Sequence, residues 1–157
     1  MSLLVSTAVN HMGECNEFDS PYRCCVCGHV LPYHPAFSAD DACLECGSLL
    51  WCVQRDNGGE VTLEVLPGRT PSVEDIASLC HSLLARDVVP HVIVDLSALD
   101  VINSALVAML VLLNKRLHAA AGTLQLTGLS EVVREVFFRF KLDSLFDIVE
   151  LEPDHAA

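Results

Sequence analysis

Two short cysteine pairs constrain this chain more than anything else in it. Cys24-Cys25-Val26-Cys27-Gly28 and Cys43-Leu44-Glu45-Cys46-Gly47 each set two cysteines three positions apart with glycine next, and fifteen residues separate the pairs. A tight turn at each pair brings two sulfurs and the following backbone N–H groups toward one point, and glycine supplies the positive φ that closes the turn. Two such turns complete a tetrahedral four-sulfur shell. The segment from Tyr22 to about Trp51 has few apolar residues, with Pro32, Pro35 and the polar run Ser38-Ala39-Asp40-Asp41 in its middle. Burial alone cannot fold it, so it needs a metal. Identical spacing in both pairs selects Cys24, Cys27, Cys43 and Cys46 as the ligands, with Cys25 as an alternative to Cys24 and His29 or Cys52 as substitute donors.

This pattern resembles the zinc-ribbon family over roughly residues 22 to 52, with two knuckles at the ends of short hairpins. The expected cofactor is a structural Zn2+, because a closed four-thiolate shell leaves no open position for a substrate. Cys15, Cys25 and Cys52 are then spare thiols. They sustain a second reading, thiol sensing, in which oxidation of zinc-bound thiolates beside free thiols releases the metal. A disulfide scaffold fits less well. The opening Met1 to Val9 has no Lys or Arg ahead of its short apolar run, unlike a secretory signal, so the chain is expected in the cytoplasm. In a reducing compartment paired cysteines read as metal ligands.

At 157 residues the chain accommodates one ordinary domain and a small appendage. Its 21 acidic against 9 basic residues, a formal charge of −12, argue against nucleic acid or an anionic membrane surface as a partner. The longest apolar run, Ala105 to Leu113, is nine residues. A membrane-spanning helix needs roughly 20.

The expected division is a leader over 1–20, a zinc ribbon over 21–53, a larger α/β domain over 54–152 and a tail over 153–157. Asp56-Asn57-Gly58-Gly59 between apolar Leu49–Val53 and Val61–Leu66 predicts a β-hairpin, with continuous β structure joining the two units. Ser72 with Asp75 three residues on, and apolar Val73, Ile76, Ala77, Cys80, Leu83 and Leu84, predict a helix over 73–86. Val92-Ile93-Val94 reads as a buried strand. A helix is expected from about Ser104 to Ala120, ended by Gly122. Thr123–Thr127 alternates as a strand, Ser130 caps a third helix, and Ile148–Leu151 supplies a last strand. The sum is an α/β fold, a mixed β-sheet packed with helices and preceded by a small zinc-ribbon β module.

Within that succession, Asp95-Leu96-Ser97, Asn103-Ser104-Ala105-Leu106-Val107, Gly122–Leu126, Ser130–Phe137 and Leu142–Ile148 fall in a recognisable order. They resemble the STAS domain of bacterial anti-sigma factor antagonists over about residues 60 to 150. Members commonly carry an Asp-Leu-Ser after a strand and an Asp-Ser-Ser-Gly-Leu type signature at the next helix start. The resemblance implies a regulatory protein-binding module whose partner is an anti-sigma factor that is also a serine kinase, and it puts the phosphorylated serine at Ser104. Asn103, Ala105 and Leu106, in place of the family's Asp, second Ser and Gly, are then expected at the partner surface. A phosphate at a helix N-terminus meets unpaired N–H groups and the positive end of the dipole. The plainer alternative is that Asn103 and Ser104 only cap the helix.

Leu106, Leu110, Leu113 and Leu117 make one stripe of this helix, and Val107, Met109, Val111 and Leu112 lie elsewhere on it. The second face either meets neighbouring helices or docks a partner or another copy of the chain, giving a homo-oligomer. On the third helix Val133, Val136, Phe137 and Phe140 are the expected core stripe, with Phe138 outside it. An enzyme is not expected: the seven histidines show neither metal nor triad spacing, and no Gly-rich phosphate loop is present. If the altered signature means the switch is lost, the alternative is a constitutive scaffold subunit of a multiprotein complex.

Overall fold

The computed structural model describes residues 22–31, 42–48 and 50–150. The expected leader, the tail, Cys15 and Leu151 lie outside the described residues. Strand β1 (Arg23–Cys24) precedes β2 (Cys52–Asn57), β3 (Glu60–Val65), helix α1 (Val73–Leu84), β4 (His91–Asp95), α2 (Ser104–Ala119), β5 (Thr123–Thr127), α3 (Glu131–Arg139), a 3-10 turn at Leu142–Ser144 and β6 (Asp147–Val149).

The strands form one six-stranded sheet whose spatial order is their chain order. The first three pair antiparallel and β3 to β6 are parallel, each parallel step crossing over through a helix. The hairpin turn is Gly58-Gly59, with Gly58 at φ +66. The first hairpin strand therefore lies later than the apolar Leu49–Val53 suggests. It runs through polar Gln54-Arg55-Asp56, which stays extended because its charges find partners: Arg55 Nε is 2.7 Å from Glu64 and Arg86 reaches Asp56 at 3.0 Å. The expected unit boundary at 53/54 falls inside this strand.

Side chains of Val61, Leu63, Val65, Val92, Val94, Leu124 and Leu126 fill one sheet face and share a core with all three helices. The opposite face carries Thr62, Ile93 and Gln125 in one row and His91 and Thr123 in another. Ile93 is only partly buried, so β4 is apolar on one side and not a strand buried on both. Gln125 links this face across strands, its Oε1 accepting from His91 Nε2 at 3.0 Å and its Nε2 donating to Asp147 Oδ2 at 2.9 Å.

Helix α1 begins with a reciprocal capping box: Asp75 N donates to Ser72 Oγ at 3.1 Å and Ser72 N to Asp75 Oδ2 at 2.8 Å. On α2 the stripe Leu106, Leu110, Leu113 and Leu117 is buried, each side chain contributing about 1.5–3 kcal/mol. Met109, Val111 and Leu112 are partly buried against the same core, so the helix's second face is largely met within the chain. On α3 Val133 and Phe137 are buried, and Phe137 stacks edge-on against Phe146 at 5.7 Å. Phe140, expected in the core, is instead 67% exposed, because the helix ends at Arg139 and its cap residue leaves the stripe.

The end of α2 uses its glycine differently from the expectation. The left-handed residue is Ala121, at φ 64, and Gly122 is needed because a Cβ there would come within 2.7 Å of Val89 Cγ1 and 3.2 Å of the Leu117 carbonyl oxygen. An L-residue in the left-handed region costs roughly 1–2 kcal/mol, part of which glycine's greater freedom in the unfolded chain takes back. Ala121→Gly is accordingly expected to raise stability by about 0.5–1 kcal/mol in urea denaturation, whereas Gly122→Ala lowers it.

Candidate functional site

The two cysteine pairs fold into near-identical knuckles. Cys24 N donates to the His29 carbonyl at 2.9 Å and Gly28 N to that of Cys24 at 3.0 Å; Cys43 N and Gly47 N repeat the pattern with Ser48 and Cys43 at 2.9 and 2.8 Å. Gly28 and Gly47 sit at φ +79 and +75, as each turn demands. Backbone amides of Val26, His29 and Glu45 point at the sulfurs of Cys24, Cys27 and Cys43 at 3.3, 3.4 and 3.4 Å.

The sulfurs of Cys24, Cys27, Cys43 and Cys46 all lie within 4.8 Å of one another. Cys24 and Cys46 are 3.8 Å apart and Cys27 and Cys43 3.6 Å. A tetrahedron with metal–sulfur bonds near 2.3 Å has edges of about 3.8 Å, so the four thiols fit a zinc-sized ion. Leu31, Leu50, Val53 and Leu66 pack behind the buried Cys24 and Cys43, which seats the cluster on the β2–β3 hairpin. Cys25, the alternative first ligand, is not in this group and packs with Trp51 and Cys52 in the main core. His29 is also outside it, lying 3.9 Å from Glu45 at the surface.

Burial pushes the thiols of Cys24 and Cys27 above the ordinary range. Burial acts the same way on Cys46, but hydrogen bonds from the Ser48 side chain and backbone, with those from Cys24 and Cys27, outweigh it and bring that thiol down to about 7.

The second candidate site is the start of α2. Asn103 is the N-cap, its Oδ1 accepting from Leu106 N at 2.8 Å, and its Nδ2 donates to Thr70 Oγ1 at 3.3 Å. Ser104 is the first helical residue and is exposed, as are Asn103 and Ala105. Leu106 is 5% exposed and points into the core, so the surface of this turn is made by the three residues before it. The amides of Ser104 and Ala105, in the first turn, have no intrahelical acceptor. Beside them a groove of about 460 Å³ runs between the loop at Pro67–Thr70 and the loop at Asp100–Asn103.

Neighbouring turns brace this edge. Ser97 N donates to Asp95 Oδ1 at 2.9 Å, and Leu96 N to the Thr127 carbonyl at 2.9 Å. Gly128, at φ +74, is required by that contact, since a Cβ would fall 2.7 Å from Asp95 Oδ1 and 2.9 Å from Ser97. Sequence reasoning did not single out Gly128; its pairing with Asp95-Leu96-Ser97 becomes visible only once β4 and β5 are neighbours.

With this geometry in hand, the STAS domain family model matches residues 57–156, more than half of the chain. The chain belongs to the STAS domain family, and the cysteine module lies outside the matched stretch. Among solved structures it is similar to a Thermotoga maritima protein described as a candidate anti-sigma factor antagonist. The solution structure of that protein gives 19% identity and a TM-score of 0.53 over 62% of this chain and 78% of that one. Its crystal form gives 16% and 0.46 over 66% and 88%. An anti-sigma factor antagonist (STAS) domain protein from Planctomyces limnophilus gives 16% and 0.49 over 67% and 93%. These likenesses concern the fold. No curated protein sequence matches. Among the described residues no helix is long and apolar enough to cross a membrane.

Metal entering the four-thiol cluster must displace the protons that Cys24 and Cys27 retain at neutral pH. Binding is therefore stronger at high pH and weakens as pH falls. Every thiol still protonated gives up its proton on binding, and with at least two such thiols the apparent Zn2+ affinity is expected to fall by at least about a hundredfold per pH unit below pH 8, measurable by competition with a chromophoric chelator.

Proposed function

We propose that this chain is a regulatory protein-binding module that works as an anti-sigma factor antagonist does, binding a partner that is both anti-sigma factor and serine kinase, and that phosphorylation of Ser104 switches the contact. The observation that carries this reading is the division of labour at the start of α2. Asn103 performs the capping, so the Ser104 hydroxyl is not needed to hold the helix and stands exposed. A phosphate on it would gain from the free amides and the positive end of a 16-residue helix. It would also add up to two negative charges to an already acidic chain, and so repel an acidic or apolar partner face.

In this reading Asn103 and Ala105 touch the partner while Leu106 supports them from beneath. The chemistry belongs to the kinase, and the module itself catalyses nothing. Zn2+ held by Cys24, Cys27, Cys43 and Cys46 is structural: the ribbon of residues 21–53 caps the first edge of the regulatory domain of residues 54–152. The cytoplasm suits such a site, since its thiolates must stay reduced.

Mass spectrometry of the native protein is expected to find one phosphate on Ser104, missing from Ser104→Ala. Ser104→Asp is expected to bind the kinase partner at least ~10-fold more weakly than wild type, a difference of about 1.4 kcal/mol. Identical partner sets and affinities for wild type, Ser104→Ala and Ser104→Asp would instead identify a constitutive scaffold subunit.

A further inference from the structure

Two thiols close to the four-cysteine cluster form a separate pair. The antiparallel register sets Arg23 opposite Gln54 and Cys24 opposite Val53, so the next residue on one side is Cys25, where the turn begins, and on the other Cys52. The two thiols are neighbours in one hydrophobic cluster. Both are sealed from solvent, Cys25 at 1% and Cys52 at 0% exposure, within the main core beside Trp51 and Val65. Neither belongs to the group of four whose sulfurs converge. Directly opposed residues of an antiparallel pair have Cα atoms roughly 4.5–5.5 Å apart, inside the range of about 4.4–6.8 Å that a disulfide spans.

We infer that Cys25 and Cys52 are an oxidative modification site, which an oxidant of the peroxide class converts into a cross-strand disulfide once the metal of the neighbouring cluster has left. The gate follows from the chain order. Cys25 is flanked by two members of the cluster, Cys24 and Cys27, so a bound ion holds the turn closed on both sides of it. While the turn is closed, no peroxide reaches either sulfur. When it opens, Cys25 is exposed first, because Cys52 stays held opposite Val65 in the β2–β3 ladder.

The chemistry needs no group beyond the peroxide. One sulfur attacks an oxygen, the O–O bond breaks, and the sulfur becomes a sulfenic acid while its proton leaves with the departing oxygen as water or alcohol. The second sulfur attacks the first, the S–O bond breaks as S–S forms, and water carries off the second proton. Two electrons pass from the two thiols to the peroxide. The product closes the ribbon from Val26 to Trp51 into one covalent loop anchored on β2, so the oxidised module keeps its place on the sheet without a metal.

The gate rests on the metal reading proposed above, but the pairing of Cys25 with Cys52 does not, and one experiment separates them. Full-length reduced protein is assayed for zinc, then divided into a Zn2+-loaded and a chelator-treated sample. Each is exposed to hydrogen peroxide, alkylated and mapped by non-reducing mass spectrometry of proteolytic peptides. The expected result is a Cys25–Cys52 linked peptide in the chelator-treated sample, at least ~10-fold less of it in the loaded sample, and none in Cys25→Ala or Cys52→Val. The comparison within wild type stands even if a variant folds poorly. Links confined to Cys24, Cys27, Cys43 and Cys46, or no link at all, overturn the pairing. Equal yields with and without bound Zn2+ overturn the gate. If the protein takes up no zinc, the metal reading fails by itself, and peroxide alone must still yield the Cys25–Cys52 link or the pairing falls with it.

Discussion

Strand β2 is paired along both edges, and the cysteine module and the helical layer meet through that double pairing. On one side it takes β1 at Gln54 and Val53; on the other it takes β3 from Cys52 to Asn57. Its alternation sorts the consequences. Val53, fully buried, backs the four-cysteine cluster, whereas Cys52 turns into the core shared with the helices. A change in the knuckles therefore reaches the sheet through backbone hydrogen bonds and buried side chains and not through a tether. Because a slip of one residue would exchange the two faces, the register is held by both hydrophobic sets at once.

The other candidate site depends on the C-terminal ends of the parallel strands of the same sheet, where the helices begin. Open α/β sheets place their functional groups there because helix N-termini and turn backbones converge. Here the turns secure one another: Asp95 holds Ser97, Gly128 admits that turn, Ser130 Oγ donates to the Asp100 carbonyl at 3.4 Å, and Asn103 reaches Thr70. Ser104 is thus an exposed residue on a braced support. In the proposed switch the charge added there is read as a change of surface potential, with little need for the fold to move.

Much of this was legible in the sequence, for definite reasons. The C-x-x-C-G spacing carries its turn geometry with it, so the converging sulfurs of Cys24, Cys27, Cys43 and Cys46 are local information repeated twice. Ser72, Asn103 and Ser130 announce helix starts because capping is a contact between residues three apart. What could not be read depends on partners distant in the chain. Polar Gln54-Arg55-Asp56 is strand, with Arg55 and Asp56 meeting Glu64 and Arg86. Gly122 reads as a helix-ending glycine and Gly128 carries no signal of its own, yet they are set by close approaches, from Val89 and from Asp95 and Ser97. Cys25 next to Cys24 is ambiguous by spacing, and only packing separates their roles, Cys24 beside Cys43 and Cys25 with Trp51 and Cys52 in the main core.

The departures of this chain from the family's helix-start signature have a consistent physical meaning. Leu106 stands where members keep a glycine, but its side chain is buried in the α2 core stripe and adds no bulk to the surface. Ala105 shortens the surface without altering charge. Asn103 matters most, since its amide caps the helix as a carboxylate would while bringing no charge beside Ser104. A neighbouring carboxylate would repel a phosphate on Ser104 and offset part of the helix-dipole attraction; an amide does not. In the proposed switch, the substitution that weakens the resemblance on paper therefore leaves the helix terminus better suited to hold a negative charge.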